Sequence, residues 1–252
     1  MKFNPETALA YARALARPRL LGSGEDGAVA QEIAAQLEGF GCRVERQPFQ
    51  FSAAFNTFVR LEVLAGQLLI LAAFWAWSRS TAPWASILPA ALLLALLVLI
   101  EPLNRAVEAG SLITPKSETP RSDSLSALWQ AVCQRMGAKY HTANLVAGWP
   151  SLPDAPNLPH FYLVAHYDSK SQFIPIIARV ILFMLVSGGA AVFAILSLLR
   201  LALPALTPFA AVVGLTALLA GLPLLLLDVG NASPGAIDNA SGCGLVLGLA
   251  ER

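Results

Sequence analysis

Two stretches of this sequence, Val180 to Leu199 and Pro204 to Leu227, contain no charged residue at all. Each is about as long as the ~20 helical residues that cross a ~30 Å hydrocarbon layer at ~1.5 Å per residue. Two further apolar stretches precede them. Leu61 to Trp77 is interrupted only by Glu62 and Gln67, and Trp84 to Ile100 carries no charge. These two are shorter and need their flanks to span. Core helices of a soluble protein keep one polar face, and these segments do not. The whole chain is 56% hydrophobic and 13% charged, with mean hydropathy +0.61, against roughly 25% charged residues in a soluble protein. Four transmembrane helices are the expectation.

Short connections, Ser78–Pro83 and Arg200–Leu203, join these helices into two hairpins. Each hairpin leaves and returns on one side, so every polar piece is expected on the same face. Trp75, Trp77 and Trp84 gather at the opposite end like an interfacial belt. Arg79 and Arg200 mark the short loops, whereas Arg46, Arg60, Arg105, Lys116, Lys170 and Arg179 lie near the other ends. The positive-inside rule then favours a cytoplasmic position for the polar pieces of an integral, multi-pass protein. A formal net charge of +1 leaves no basic footprint for nucleic acid. Cys42, Cys133 and Cys243 are widely spaced without a CxxC pair, which argues against a disulfide framework or a cysteine zinc site.

The chain thus divides into 1–58, a hairpin over 61–102, 103–173, a hairpin over 180–227, and 228–252. The N-terminus lacks the apolar core of a signal peptide. It reads as an amphipathic helix, with Asn4 as N-cap, Pro5 at the first position and Glu6 in the first turn. Ser23 to Glu38 predicts a helix with Ser23 and Asp26 at its start and Ala30, Ile33, Ala34 and Leu37 on its apolar stripe. Gly39 and Gly41 end it. "CRVERQPFQF" alternates as a half-buried strand. Beyond a Ser/Thr/Pro-rich connection (110–123), Ser124 to Met136 predicts a second amphipathic helix. "TANLVAGW" and "HFYLVAHY" read as two strands joined by "PSLPDAPNLP". The second, nearly all apolar, fits a central buried strand. A last helix is expected from Cys243, with Leu245, Leu247 and Leu249 among small residues. Strands and helices alternate, as in an α/β domain.

Two short motifs carry chemistry. In "HYDS", His166 and Asp168 are two apart, so on a strand both face one side. A metal-bound imidazole takes a carboxylate or carbonyl on its other nitrogen, and this pair could supply one. Taken alone, it is equally a solvated strand end. In "GAIDNASG", Asp238 stands between glycines and small residues, where a carboxylate could bridge two cations. Taken alone, it is equally a polar N-cap.

In order, "RPRLLGSGEDG", "GCRVERQPF", "TANLVAG", "FYLVAHYDS" and "PGAIDNASGCGLVLGLAER" resemble the M28 family of zinc exopeptidases. The similarity covers most of the polar residues and neither hairpin. The resemblance implies a mixed-sheet α/β/α zinc-exopeptidase-like domain interrupted by the four helices. It implies an aminopeptidase that hydrolyses N-terminal peptide bonds with two zinc ions. Residue by residue, His166 becomes a ligand of one zinc, Asp238 the ligand bridging both, and Asp168 the catalytic-site carboxylate that orients His166. Asp238–Asn239 falls where the family often has a non-proline cis peptide.

The chain departs from the family in two ways. One hairpin occupies the link between the two motifs, and the other the link between the first two strands. The family pattern also continues with a Glu-Glu pair, another acidic ligand and a final His. Nothing follows Arg252 to supply them, Glu251 is poorly placed as the base, and His141 and His160 read as surface residues. The expectation is an N-terminal part of a membrane-bound peptidase, inactive by itself, whose C-terminal half is missing or encoded separately. Its partners would be a peptide substrate and membrane lipid. The alternative is an inactive membrane protein that uses the peptidase-like remnant to bind a partner or peptide. A channel or transporter is disfavoured, because only Glu62 and Arg179 place ionisable groups in the spans, near their ends.

Overall fold

A computed structural model of the chain describes residues 3–79, 83–113, 131–132, 135–149 and 162–251. The predicted helix over Ser124 to Met136 lies largely outside these residues. The "PSLPDAPNLP" connection, His160 and Cys133 lie outside them altogether.

Helix dominates. Helix α1, Pro5–Leu15, starts as expected, with the Asn4 side chain accepting the Glu6 N–H at 3.0 Å and Pro5 in the first turn. Helix α2, Glu25–Gly39, buries Ala30, Ile33, Ala34 and Leu37, the four residues of the predicted stripe, together with Val29. Its N-cap is Gly24 rather than Ser23, and Asp26 turns back to accept the Gly24 N–H at 3.1 Å. Asp26 thus closes the turn into the helix, and among the described residues no side chain caps its first N–H groups.

Strand β1, Arg43–Ser52, follows at once. It pairs antiparallel with β3, Lys139–Gly148, over ten positions from Arg43↔Gly148 to Ser52↔Lys139. Between them, β2, Leu112–Ile113, adds a short edge, so the sheet order is β2-β1-β3. His141 sits within β3 rather than before it, exposed, with its Nδ1 2.9 Å from the Gln50 amide nitrogen. The chain between β1 and β3 includes the first helical hairpin, as the position of that insertion implies.

Among the described residues, four helices are long and apolar enough to cross a membrane. They are α3, Ala54–Ser78; α4, Ile87–Ser111; α5, Ile176–Leu199; and α6, Thr207–Leu225. The first two take in polar flanks and reach 25 residues each. Both therefore exceed the apolar runs from which they were predicted, and α3 begins almost directly after β1. α3 packs on α4, α4 on α5, α5 on α6, and α6 back on α3, which closes a four-helix bundle. Its centre is made of small side chains around a few large ones: Ala73, Ala90, Ala190, Ala194 and Ala217 with Ile70, Leu93 and Phe193. Small residues let backbones approach closely, which matters where lipid offers no hydrophobic drive for association. Gln67, buried in this interior, donates to the Ala217 carbonyl at 3.2 Å.

The ends of the bundle are distinguishable. At one end Arg200 stacks 4.4 Å over the Trp77 ring and reaches the Ser86 hydroxyl, so both short turns lie together. Trp75 and Trp84 are exposed there, as a belt requires. Trp77 instead packs edge-on against Phe74 and tilted against Phe193, inside the bundle. At the other end Arg60 pairs with Asp228 at 3.2 Å, where the chain passes into the polar half.

That half has its own core, in which Leu15, Val29, Ile33, Leu37 and Cys42 meet Cys243, Leu247 and Ala250 of α7, Ser241–Ala250. α7 starts two residues before the expected Cys243 and lies against α1. Gly244 and Gly248 face Ala8 there without room for a side chain, since a Cβ on Gly244 would stand 2.5 Å from the Ala8 carbonyl oxygen.

One expectation about strands is corrected. Tyr162 to Lys170 belongs to no ladder among the described residues. Tyr162, Leu163 and Val164 are exposed, and only Ala165 and Tyr167 reach the core. A run of apolar residues meant a buried strand only if neighbours flanked it, and here β3 takes β1 as its partner instead. The segment is held by side chains: the Tyr167 hydroxyl donates to the Ala143 carbonyl at 2.7 Å, and the Cys243 thiol to the His166 carbonyl. Among the described residues every strand pair is antiparallel, in the sheet β2-β1-β3 and a small ribbon, and the mixed sheet expected of an α/β/α domain is not seen. In that ribbon β4, Ser171–Gln172, pairs antiparallel with β5, Val229–Gly230.

Candidate metal centre

The ribbon β4–β5 brings the two motifs together. "HYDS" leads into β4, and β5 leads out toward "PGAIDNASG", so the ends of the second hairpin meet although His166 and Asp238 are 72 positions apart. His166 Nε2 stands 2.8 Å from Asp238 Oδ1, and His166 Nδ1 stands 3.2 Å from Asp168 Oδ1. The fold thus brings the three candidate residues together, with the His166 imidazole between the carboxylates of Asp168 and Asp238. They line an open pocket of about 210 Å³ with Ser169 and Lys170. The peptide bond between Asp238 and Asn239 is cis.

The donor chemistry fits part of a metal site. With both ring nitrogens facing carboxylate oxygens, each contact is a hydrogen bond only if both nitrogens carry protons. A cation would take the place of the Nε2 proton, while Asp168 keeps the other nitrogen protonated and the ring oriented. Asp238 is open to solvent with its side chain 79% exposed, which leaves its carboxylate accessible to a second ion. Zinc takes four ligands in closed sites and three protein ligands in catalytic ones. Among the described residues, no group of three or more His, Cys, Asp or Glu side chains is placed to hold a metal. The described residues therefore offer two candidate ligands, His166 and Asp238.

The residue that locks this arrangement is Arg19, which was not expected to have a role. It is wholly buried. Its guanidinium donates to the carbonyls of Tyr167, between the two predicted site residues of "HYDS", and of Pro234 and Gly235, just before Asp238. It also reaches the carbonyls of Leu15 and Arg17, which ties the site to the end of α1. The backbone repeats the connection, since Arg19 N–H donates to the Ser169 hydroxyl at 3.0 Å and Ser169 N–H to the Arg19 carbonyl at 3.1 Å. Burial works against the guanidinium's charge and pulls its pKa down, while Asp168 and Asp238 are among the neighbours that favour it. An arginine's fixed fork of donors suits several carbonyls at once.

Gly235 is required by the same packing. Its φ is 56°, in the left-handed region, and a Cβ there would lie 2.5 Å from Ser169 Cβ. Beyond it, the Asn239 side chain accepts the Gly242 N–H at 3.1 Å and opens α7. The capping role that Asp238 could have filled therefore belongs to Asn239, which leaves Asp238 free to face His166. Cys42 and Cys243 are buried free thiols, with pKa values raised chiefly by burial, and are chemically quiet in the folded chain. Comparison of the chain with family models, with curated proteins and with solved structures gave no match.

Proposed function

We propose that this chain carries the histidine and bridging-aspartate part of a two-zinc peptidase centre of the M28 type, set on a membrane bundle. The observation that carries the reading is the convergence of His166 and Asp238 across the second hairpin, with Asp168 on the other imidazole nitrogen. The order of the motifs along the chain supports the same reading. His166 would hold one zinc, Asp238 would bridge two, and the remaining ligands and the general base come from outside the described residues. When bound, the metal pair supplies Lewis acidity, which lowers the pKa of a water and polarises the scissile carbonyl of an N-terminal peptide bond. With a zinc in place of the Nε2 proton, Asp168 would accept the hydrogen bond of Nδ1–H and hold the ring so that Nε2 faces the metal. Arg19 fixes the distance between the two loops.

Zinc binding tests this directly. Equilibrium dialysis of the purified full chain in detergent is expected to show retained zinc. His166→Ala or Asp238→Asn should weaken retention by at least about tenfold, and Asp168→Asn by ~10–100-fold. Zinc retention no greater than that of the His166→Ala, Asp238→Asn double variant would overturn the reading. That outcome would favour the second reading, a peptidase-like remnant that binds a partner or peptide, for which the exposed and unpaired Tyr162–Val164 speaks.

The polar half is placed on the cytoplasmic face, on the strength of the arginines and lysines that flank its end of the bundle. Alkaline phosphatase joined ahead of Met1 and expressed in bacteria should then be inactive, and a fluorescent protein in the same position bright. Active phosphatase would reverse the assignment.

A further inference from the structure

A cavity of about 370 Å³ opens between α3, α4 and α5 at the end of the bundle nearest the polar half, where Gln172 and Val229 of the ribbon also line it. One wall is hydrocarbon, from Leu93, Leu96 and Leu97. The opposite character comes from Glu62, Asn104 and Arg179. Glu62 is only 8% exposed, and its Oε1 has no hydrogen-bond partner. Asn104 Oδ1 and Arg179 Nε are likewise buried and unpartnered.

The charges do not cancel within the protein. Arg60 is taken by Asp228 at 3.2 Å, whereas neither Glu62 nor Arg179 forms an ion pair among the described residues. Glu62 is buried with one carboxylate oxygen unpartnered, although Asn104 reaches its carboxyl group, and half-buried Arg179 has an unpartnered Nε–H; both are costly, and more so inside a membrane bundle. Ligand sites commonly fall between ~300 and ~1,000 Å³ with few polar groups on apolar walls, and this cavity has that form.

We propose that the cavity holds one membrane lipid with a primary-ammonium and phosphate headgroup, that is, a phosphatidylethanolamine-type lipid. Two unpartnered acceptors, Glu62 Oε1 and Asn104 Oδ1, call for a ligand that brings N–H donors, which a quaternary ammonium lacks. The Arg179 Nε–H calls for an anionic oxygen. The leucines of α4 call for a hydrocarbon chain, and so a lipid rather than its free headgroup. This inference does not rest on the metal reading.

Native mass spectrometry of the full chain in detergent tests it, with single-chain lyso-phosphatidylethanolamine as the probe. That probe should bind about tenfold more tightly than the choline or glycerol lysophospholipids, the difference expected for one charge-assisted hydrogen bond. Soluble phosphoethanolamine should show no binding. Glu62→Gln and Arg179→Gln should each lower binding of the probe about tenfold. Leu96→Trp should abolish binding by filling the apolar side. Arg105→Gln, which removes only the exposed pair with Glu101, should leave it unchanged. Equal binding of the three lysophospholipids, or binding of phosphoethanolamine as tight as that of the probe, would overturn the proposal. So would Glu62→Gln and Arg179→Gln variants that bind as the parent does. The lipid comparison uses the unsubstituted chain and decides even if a variant fails to fold.

Discussion

Arg19→Met is expected to destabilise the polar half by about 3–5 kcal/mol, the range in which loss of a buried charged hydrogen-bonding group falls. Five carbonyls depend on this guanidinium, from Leu15, Arg17, Tyr167, Pro234 and Gly235. Methionine fills similar space but donates to none of them. The relief of desolvating the charge offsets part of the loss, which is why the expected cost is well below the sum of five charged hydrogen bonds. Leu15 O and Gly235 O each keep another partner, the Arg17 N–H at 2.9 Å and the Ala240 N–H at 2.9 Å. In thermal melts followed by circular dichroism the variant should unfold about 10 °C lower. Arg19→Lys should fall between the two, because an ammonium keeps the charge without the planar fork. A shift below about 2 °C for Arg19→Met would mean that the carbonyls find other partners, and the clamp would lose its assigned importance.

The second large effect concerns the membrane bundle. Gly214→Leu should cost about 3 kcal/mol, at the upper end of the usual range for overpacking a filled interior. A Cβ at this position would already stand 2.6 Å from the Phe193 ring and 2.8 Å from Phe74. Neither ring can retreat easily, since Phe74 and Phe193 pack on one another and both touch Trp77. Gly188→Leu is the matched comparison. It lies on α5 with open space where the side chain would go, and it exchanges a poor helix former for a good one. Monodispersity after stepwise heating, read by gel filtration, should therefore drop at lower temperature for Gly214→Leu and stay unchanged for Gly188→Leu. Equal behaviour of the two variants would show that the bundle is looser at Gly214 than its packing implies.

Legibility in the sequence followed the range of the interaction. The cap of α1, the stripe of α2 and the alternation of β1 are set by neighbours within a few positions, and all were readable. The membrane helices were readable from charge-free runs, but not their full length. Asn56 and Arg60 precede the apolar run that starts at Leu61, yet they sit on α3, where the bundle meets the polar half. The segment from Tyr162 to Val164 misled because apolar composition does not say whether neighbouring strands exist. Arg19 was invisible for a related reason. Nothing within its own stretch shows that it reaches carbonyls almost 150 and more than 200 positions away. His166, Asp168 and Asp238 were singled out from the order and composition of the motifs that contain them, and the fold sets them side by side.

The long pairing of β1 with β3 also governs the order in which the molecule can assemble. Each contact of that ladder closes a loop that contains the first hairpin, and the meeting of His166 with Asp238 closes another that contains the second. Closing long loops costs entropy before any contact repays it. During synthesis the polar half is therefore laid down in three pieces separated by two insertions. The core around Leu15, Val29 and Ile33 gains Cys243, Leu247 and Ala250 only when α7 leaves the ribosome. Until then its apolar surfaces stay open, so anything that delays the insertion of either hairpin also delays the meeting of His166 with Asp238.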